Sequence, residues 1–163
     1  MEKILVSACL VGERVRYNGV VKSFESHILK SWNRRGRVVA ICPEVAGGLP
    51  VPRPRSEISG GDGNQVLSSH NKVININGQD VTKYFLEGAV KALELAGSLG
   101  IKLAIFKEGG PSCGSSYIYD GSFSGIKKPG KGVTAALLGK NGIRVFSERE
   151  ILKADNYIKT LII

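Results

Sequence analysis

With 163 residues, 42% of them hydrophobic and 23% charged, the chain has the make-up of one ordinary globular domain and not of a disordered segment. Its formal charge of +9 points to an anionic or electron-rich partner such as nucleic acid, a nucleotide or an anionic cluster, although cations spread over solvated helix faces explain it equally well. No run approaches the ~18 apolar residues of a membrane span, and the opening Met1-Glu2-Lys3-Ile4 enters a strand pattern without a leader-like stretch, so a cytoplasmic protein without a membrane partner is expected.

In chain order, Lys3 to Ala8 reads as a buried strand closed by Cys9. A loop with an Asn18-Gly19 turn signal follows. Phe24, His27, Ile28, Leu29 and Trp32 make an apolar stripe that predicts a basic amphipathic helix from Ser23 to Arg35, stopped by Gly36. Arg37 to Ile41 is a second strand, closed by Cys42. From Cys42 to Gly63 lie four of the six prolines, interleaved with Arg53 and Arg55, so this segment reads as a long functional loop, neither helix nor central strand. Val66-Leu67 and Val73 to Ile76 suggest a small β excursion.

Asp80 caps a predicted helix from Val81 to Leu99, and Gly100 ends it. Ile101 to Phe106 is the third strand, followed by the Gly-rich loop that carries Cys113 and by a turn-rich stretch from Tyr117 to Gly125. Val133 to Leu138 reads as a helix entered through Lys131-Gly132, and Ile143 to Phe146 as the last strand. Ser147 to Glu150 forms a capping box that opens the final helix. Strands alternating with helices predict a single α/β domain over residues 1–163: a mostly parallel, open, Rossmann-like sheet with helices on both faces.

Each cysteine falls at a strand's carboxyl end, the edge where open parallel sheets bind ligands. Free cysteine is often just a small buried hydrophobe. Three at equivalent addresses instead predict one thiolate site, with a disulfide framework disfavoured by the odd count. Three thiolates leave a metal centre one ligand short. For zinc that means a borrowed or open fourth position, and for a cubane cluster it means one iron free for substrate. Zinc is the weaker alternative, because His27 and His70 lack metal-ligand spacing. Glu44, two residues after Cys42, is a candidate proton carrier, with an Arg or Lys ion pair as the plain alternative. Arg53, Arg55 and Asp62 are candidate substrate contacts or mutual partners, and Ser112, Ser115 and Ser116 offer hydroxyls. Gly130 to Thr134 lacks the Walker A pattern and reads as a helix entry.

Several stretches together resemble the thiouracil desulfidase family, once catalogued only as a domain of unknown function. They are CLVG with RYNG (Cys9 to Gly19), CPEVAGGLPVPRPRSEI (Cys42 to Ile58) and GGDG (Gly60 to Gly63), then DVTKYFLEGA (Asp80 to Ala89), PSCGSSYIYDGSFSG (Pro111 to Gly125), GVTAALL (Gly132 to Leu138) and GIRVFSE (Gly142 to Glu148). The resemblance implies a 4Fe–4S cluster held by Cys9, Cys42 and Cys113, whose open iron takes the sulfur of a thiocarbonyl while water replaces it, without net redox. It implies a thiolated small molecule of the 2-thiouracil type as substrate, with Glu44 handling protons; the residues themselves add Ser112 as a candidate catalytic hydroxyl and Arg53, Arg55, Asp62 and Ser115 as candidate substrate contacts. One position departs from the family pattern: a serine usually stands where this chain has Gly110. Two rival readings are desulfuration of a thiolated base within RNA and a non-catalytic metal- or cluster-binding protein.

Overall fold

Apolar strands joined by helical crossovers return to the same edge and pair in parallel. In the computed structural model, which describes residues 1–22 and 24–162, the main sheet has the order β2 (Val38–Ile41), β1 (Ile4–Ser7), β5 (Leu103–Phe106), β8 (Arg144–Ser147). All three neighbour pairs are parallel. The central strands β1 and β5 are buried at every position, as expected of strands covered on both faces.

Alternation along β1 divides the core. Ile4 and Val6 face α1 (His27–Arg34) and α6 (Ile151–Leu161), meeting Leu29, Trp32, Ala154 and Ile158. Leu5 faces the other way, toward Ala92 and Ala96 of α4 (Thr82–Ser98) and Ala135 and Leu138 of α5 (Val133–Lys140). The α/β fold with helices on both faces is thus the one the sequence predicts. A third cluster joins Phe85 and Ala89 of α4 to Ile58, Val66 and Val73. These belong to the antiparallel pair β3 (Ser56–Ser59) and β4 (Lys72–Asn75) and to α3 (Gly63–Leu67) between them.

Local corrections are confined to short elements. The β excursion exists, but Val66 and Leu67 end α3, and the partner of β4 is Ser56–Ser59, inside the proline-rich segment. Pro54 lies ahead of that strand and removes none of its ladder bonds. The same segment holds a helical turn, α2 (Pro43–Ala46), with Pro43 in the first turn where its missing N–H costs nothing. The turn-rich stretch contains a hairpin, β6 (Tyr117–Tyr119) with β7 (Lys127–Pro129). Helix α1 begins at His27 because the Ser26 hydroxyl accepts the Leu29 N–H at 3.2 Å; the predicted start at Ser23 lies outside the described residues. Among the described residues, no helix is long and apolar enough to cross a membrane.

Candidate active site

Strand order reverses at β1, since β2 lies on one side and β5 on the other, and such a switch point opens a crevice beyond the strand carboxyl ends. Three chain segments leave the sheet there. β1 runs into a 3-10 turn, Ala8–Val11, that carries Cys9. β2 ends one residue before Cys42, the N-cap of α2. β5 leads into the loop that carries Cys113. All three cysteines are free thiols and line one cavity of about 450 Å³, and among the described residues no other soft donor lines it.

The thiols feel one another. Burial, and next the Cys42 sulfur, push Cys9 up to about 11, against the pull of Lys107 and Arg16. Burial likewise raises Cys42 and lifts Cys113 well above its ordinary value, with the other two sulfurs adding to the effect. The thiolate forms therefore need a cationic centre to compensate them. Among the described residues no three His, Cys, Asp or Glu side chains cluster tightly enough to hold one metal ion. Three cysteines lining one cavity form a soft thiolate set of the kind that iron–sulfur clusters take. The donor set fits the cluster.

Glu44 and Arg53 also line the cavity, and they are paired: Arg53 Nε donates to Glu44 Oε1 at 3.0 Å. The guanidinium is anchored further by the carbonyls of Pro50 at 3.1 Å and Val15 at 2.9 Å. Arg53 is therefore a fixed clamp that orients Glu44, with none of its three nitrogens left over. Arg55 lines the cavity as well, 5.6 Å from the Phe123 ring centre.

Three predicted site residues stand elsewhere. Ser112 is buried and does not line the cavity; its carbonyl accepts Thr134 N–H at 3.0 Å and Ala135 N–H at 3.1 Å, which ties it to the start of α5. A Cβ on Gly132 would lie 2.4 Å from the Ser112 carbonyl carbon, so glycine is required at that close approach. Asp62 caps α3 and accepts the Lys131 N–H at 3.0 Å, which makes it a structural anchor. Ser115 donates its hydroxyl to Glu108 Oε2 at 3.0 Å. Gly110 does line the cavity, and a Cβ there would meet nothing closer than the Cys113 amide nitrogen at 4.0 Å.

Glu108 was missed in the sequence. Its buried carboxylate organises the Cys113 loop: Oε1 accepts the N–H groups of Gly109, Ser115, Ser116 and Tyr117 at 3.3, 2.8, 2.9 and 3.4 Å. Its own N–H donates to Glu148 Oε1 at 3.0 Å, and Glu148 pairs with Lys107 at 3.1 Å. Burial pushes the Glu108 carboxyl up, but the Ser116, Ser115 and Tyr117 amides and the Ser115 hydroxyl together hold it below its ordinary value. A carboxylate opening a glycine-rich loop just past a strand was the only available signal. Because the folded carboxyl titrates lower than the unfolded one, its extra stabilisation is complete above the unfolded value and is lost as pH falls through the folded value. Glu108→Gln should then cost about 2 kcal/mol of stability in the cluster-free protein at pH 7. Urea unfolding midpoints should show that difference shrinking on acidification from pH 7 to about 3.

A parallel α/β domain whose strand ends bring three thiols and a clamped carboxylate into one cavity has the layout of a thiol-lined cofactor site. The family is specific: the 2-thiouracil desulfurase pattern matches residues 4–150, and the chain belongs to that family. It is 47% identical over 148 residues to the uncharacterized protein YbbK of Bacillus subtilis (strain 168), covering 91% of this chain and 97% of the relative. It is also similar to the solved [4Fe-4S]-dependent thiouracil desulfidase TudS, at 45% identity and a TM-score of 0.90, covering 98% of this chain and 99% of that one.

Proposed function

We propose that Cys9, Cys42 and Cys113 hold a 4Fe–4S cluster and that the protein hydrolyses the thiocarbonyl of a 2-thiouracil-like base, giving the carbonyl and sulfide with no net redox change. The observation that carries this reading is the meeting of the three strand-end thiols in one cavity beside Glu44. When bound, the cluster supplies a Lewis-acidic iron suited to a soft thiocarbonyl sulfur.

The chain's own residues supply the rest. Glu44 Oε1 is held by Arg53, and its other oxygen is the base that takes a proton from the attacking water and returns it to the departing sulfide. Tyr17, Tyr117 and Tyr119 line the cavity with rings suited to a planar heterocycle. Arg16, Lys107 and Arg55 give the same cavity cationic character, which compensates a cluster made anionic by three thiolates. The cavity is of small-molecule size, which favours a free thiolated compound over a base held within RNA. Three free thiols also fit a reducing, cytoplasmic setting.

Anaerobic reconstitution with iron and sulfide, followed by incubation with 2-thiouracil, tests the proposal. The expected result is the broad cluster absorbance and steady release of sulfide. A cluster without sulfide would leave a non-catalytic cluster protein, or an enzyme for another thioamide. Gly110→Ser, for which there is room, would separate these two by restoring thiouracil turnover only in the second. Absence of a cluster would overturn the reading.

A further inference from the structure

The scheme above leaves Glu57 without a task. Residues alternate along β3, so Ile58 enters the core and Glu57 points to the opposite face, where it lines the cysteine cavity while only 8% exposed. Its Oε1 accepts the N–H groups of Gly121 at 2.9 Å and Phe123 at 3.2 Å, both in the loop between β6 and β7. Among the described residues Glu57 forms no ion pair and Oε2 accepts no hydrogen bond. Nor is Oε2 one of the polar atoms sealed in packing without a partner, and the residue that carries it lines the cavity.

A carboxylate is an acceptor only, with room for about four hydrogen bonds. Glu57 is thus a buried acceptor, fixed on one side by two backbone donors and unsatisfied on the side that faces ligand. The other two cavity carboxylates are engaged differently, Glu44 by Arg53 and Glu108 by its loop. The ligand group that satisfies Glu57 is an N–H, and a cyclic thioamide carries one beside its thiocarbonyl. We propose that Glu57 Oε2 accepts a ring N–H of the substrate and thereby restricts the enzyme to thioamides that are unsubstituted at that nitrogen. This rests on the desulfidase reading for its ligand class.

Glu57→Gln isolates the effect. The backbone donors of Gly121 and Phe123 keep the amide oxygen turned toward them, so folding is preserved while the cavity-facing atom changes from acceptor to donor. With both proteins cluster-loaded and carrying Glu44→Gln to slow turnover, calorimetry should show the dissociation constant for 2-thiouracil rising by about tenfold or more on adding Glu57→Gln, with an unchanged melting temperature. For one of the two isomers, N1-methyl- or N3-methyl-2-thiouracil, the protein with Glu57 intact should already bind weakly, and Glu57→Gln should add no further loss. Equal affinities of the two proteins for 2-thiouracil would overturn the proposal, and no binding to either protein counts the same way. So would a variant that weakens both methylated isomers as much as the parent compound. Because binding is read in the slowed Glu44→Gln background, a protein that binds through Glu57 yet releases no sulfide with Glu44 intact overturns the desulfidase reading and leaves this one standing.

Discussion

Alanine in place of any one of Cys9, Cys42 and Cys113 is expected to abolish both cluster binding and sulfide release while leaving a folded chain. A cubane cluster ordinarily takes four protein thiolates. With three available, each is indispensable, and two cannot retain the core. The fold tolerates the loss because the sulfurs lie at the margins of the packing: Cys9 packs against one core cluster and Cys113 against another, each as a partly buried neighbour. Removing one sulfur costs about 1 kcal/mol, a minority of the 5–15 kcal/mol typical of such domains. Cys42 makes no side-chain capping bond at the start of α2, so alanine there costs no cap either. Iron content, cluster absorbance and a thermal melt read the three effects separately. A single variant that keeps its cluster would remove that cysteine from the ligand set.

The parts of this arrangement legible in the sequence are those encoded by local pattern. Ile4 to Val6 and Leu103 to Phe106 are continuous apolar runs, and runs bounded in this way form the buried central strands. Once they were recognised, the placing of Cys9, Cys42 and Cys113 on one edge followed from topology alone. Ser56-Glu57-Ile58-Ser59 and Lys127-Lys128-Pro129 are too short and too polar to show a strand period, and they pair only because the chain is folded around them. Glu57 and Glu108 left little trace in the sequence for a related reason. Their partners are backbone N–H groups that a loop brings together, up to 66 residues away for Glu57 and Phe123, and no side-chain spacing announces them. Ser112 is buried and off the cavity lining, because adjacency to Cys113 says nothing about which way a loop residue points.

Glu44→Gln should lower kcat by about 100-fold or more, the usual worth of a positioned acid–base group, with cluster absorbance retained and KM changed far less. Glutamine is the informative substitution because of Arg53. The Arg53 side chain is only 4% exposed, and its Nε donates to Glu44 at 3.0 Å. Alanine would leave a buried cation facing only the carbonyls of Pro50 and Val15, a defect that costs a few kcal/mol by itself and would confuse lost chemistry with a lost site. Glutamine keeps an acceptor for Arg53 Nε and removes only the capacity to take up a proton. Glu108 cannot stand in, since loop donors engage both its oxygens. A Glu44→Gln protein with wild-type kcat would therefore mean that water reacts without a carboxylate base, and that Arg53 and Glu44 are there to hold the loop after Cys42 in shape.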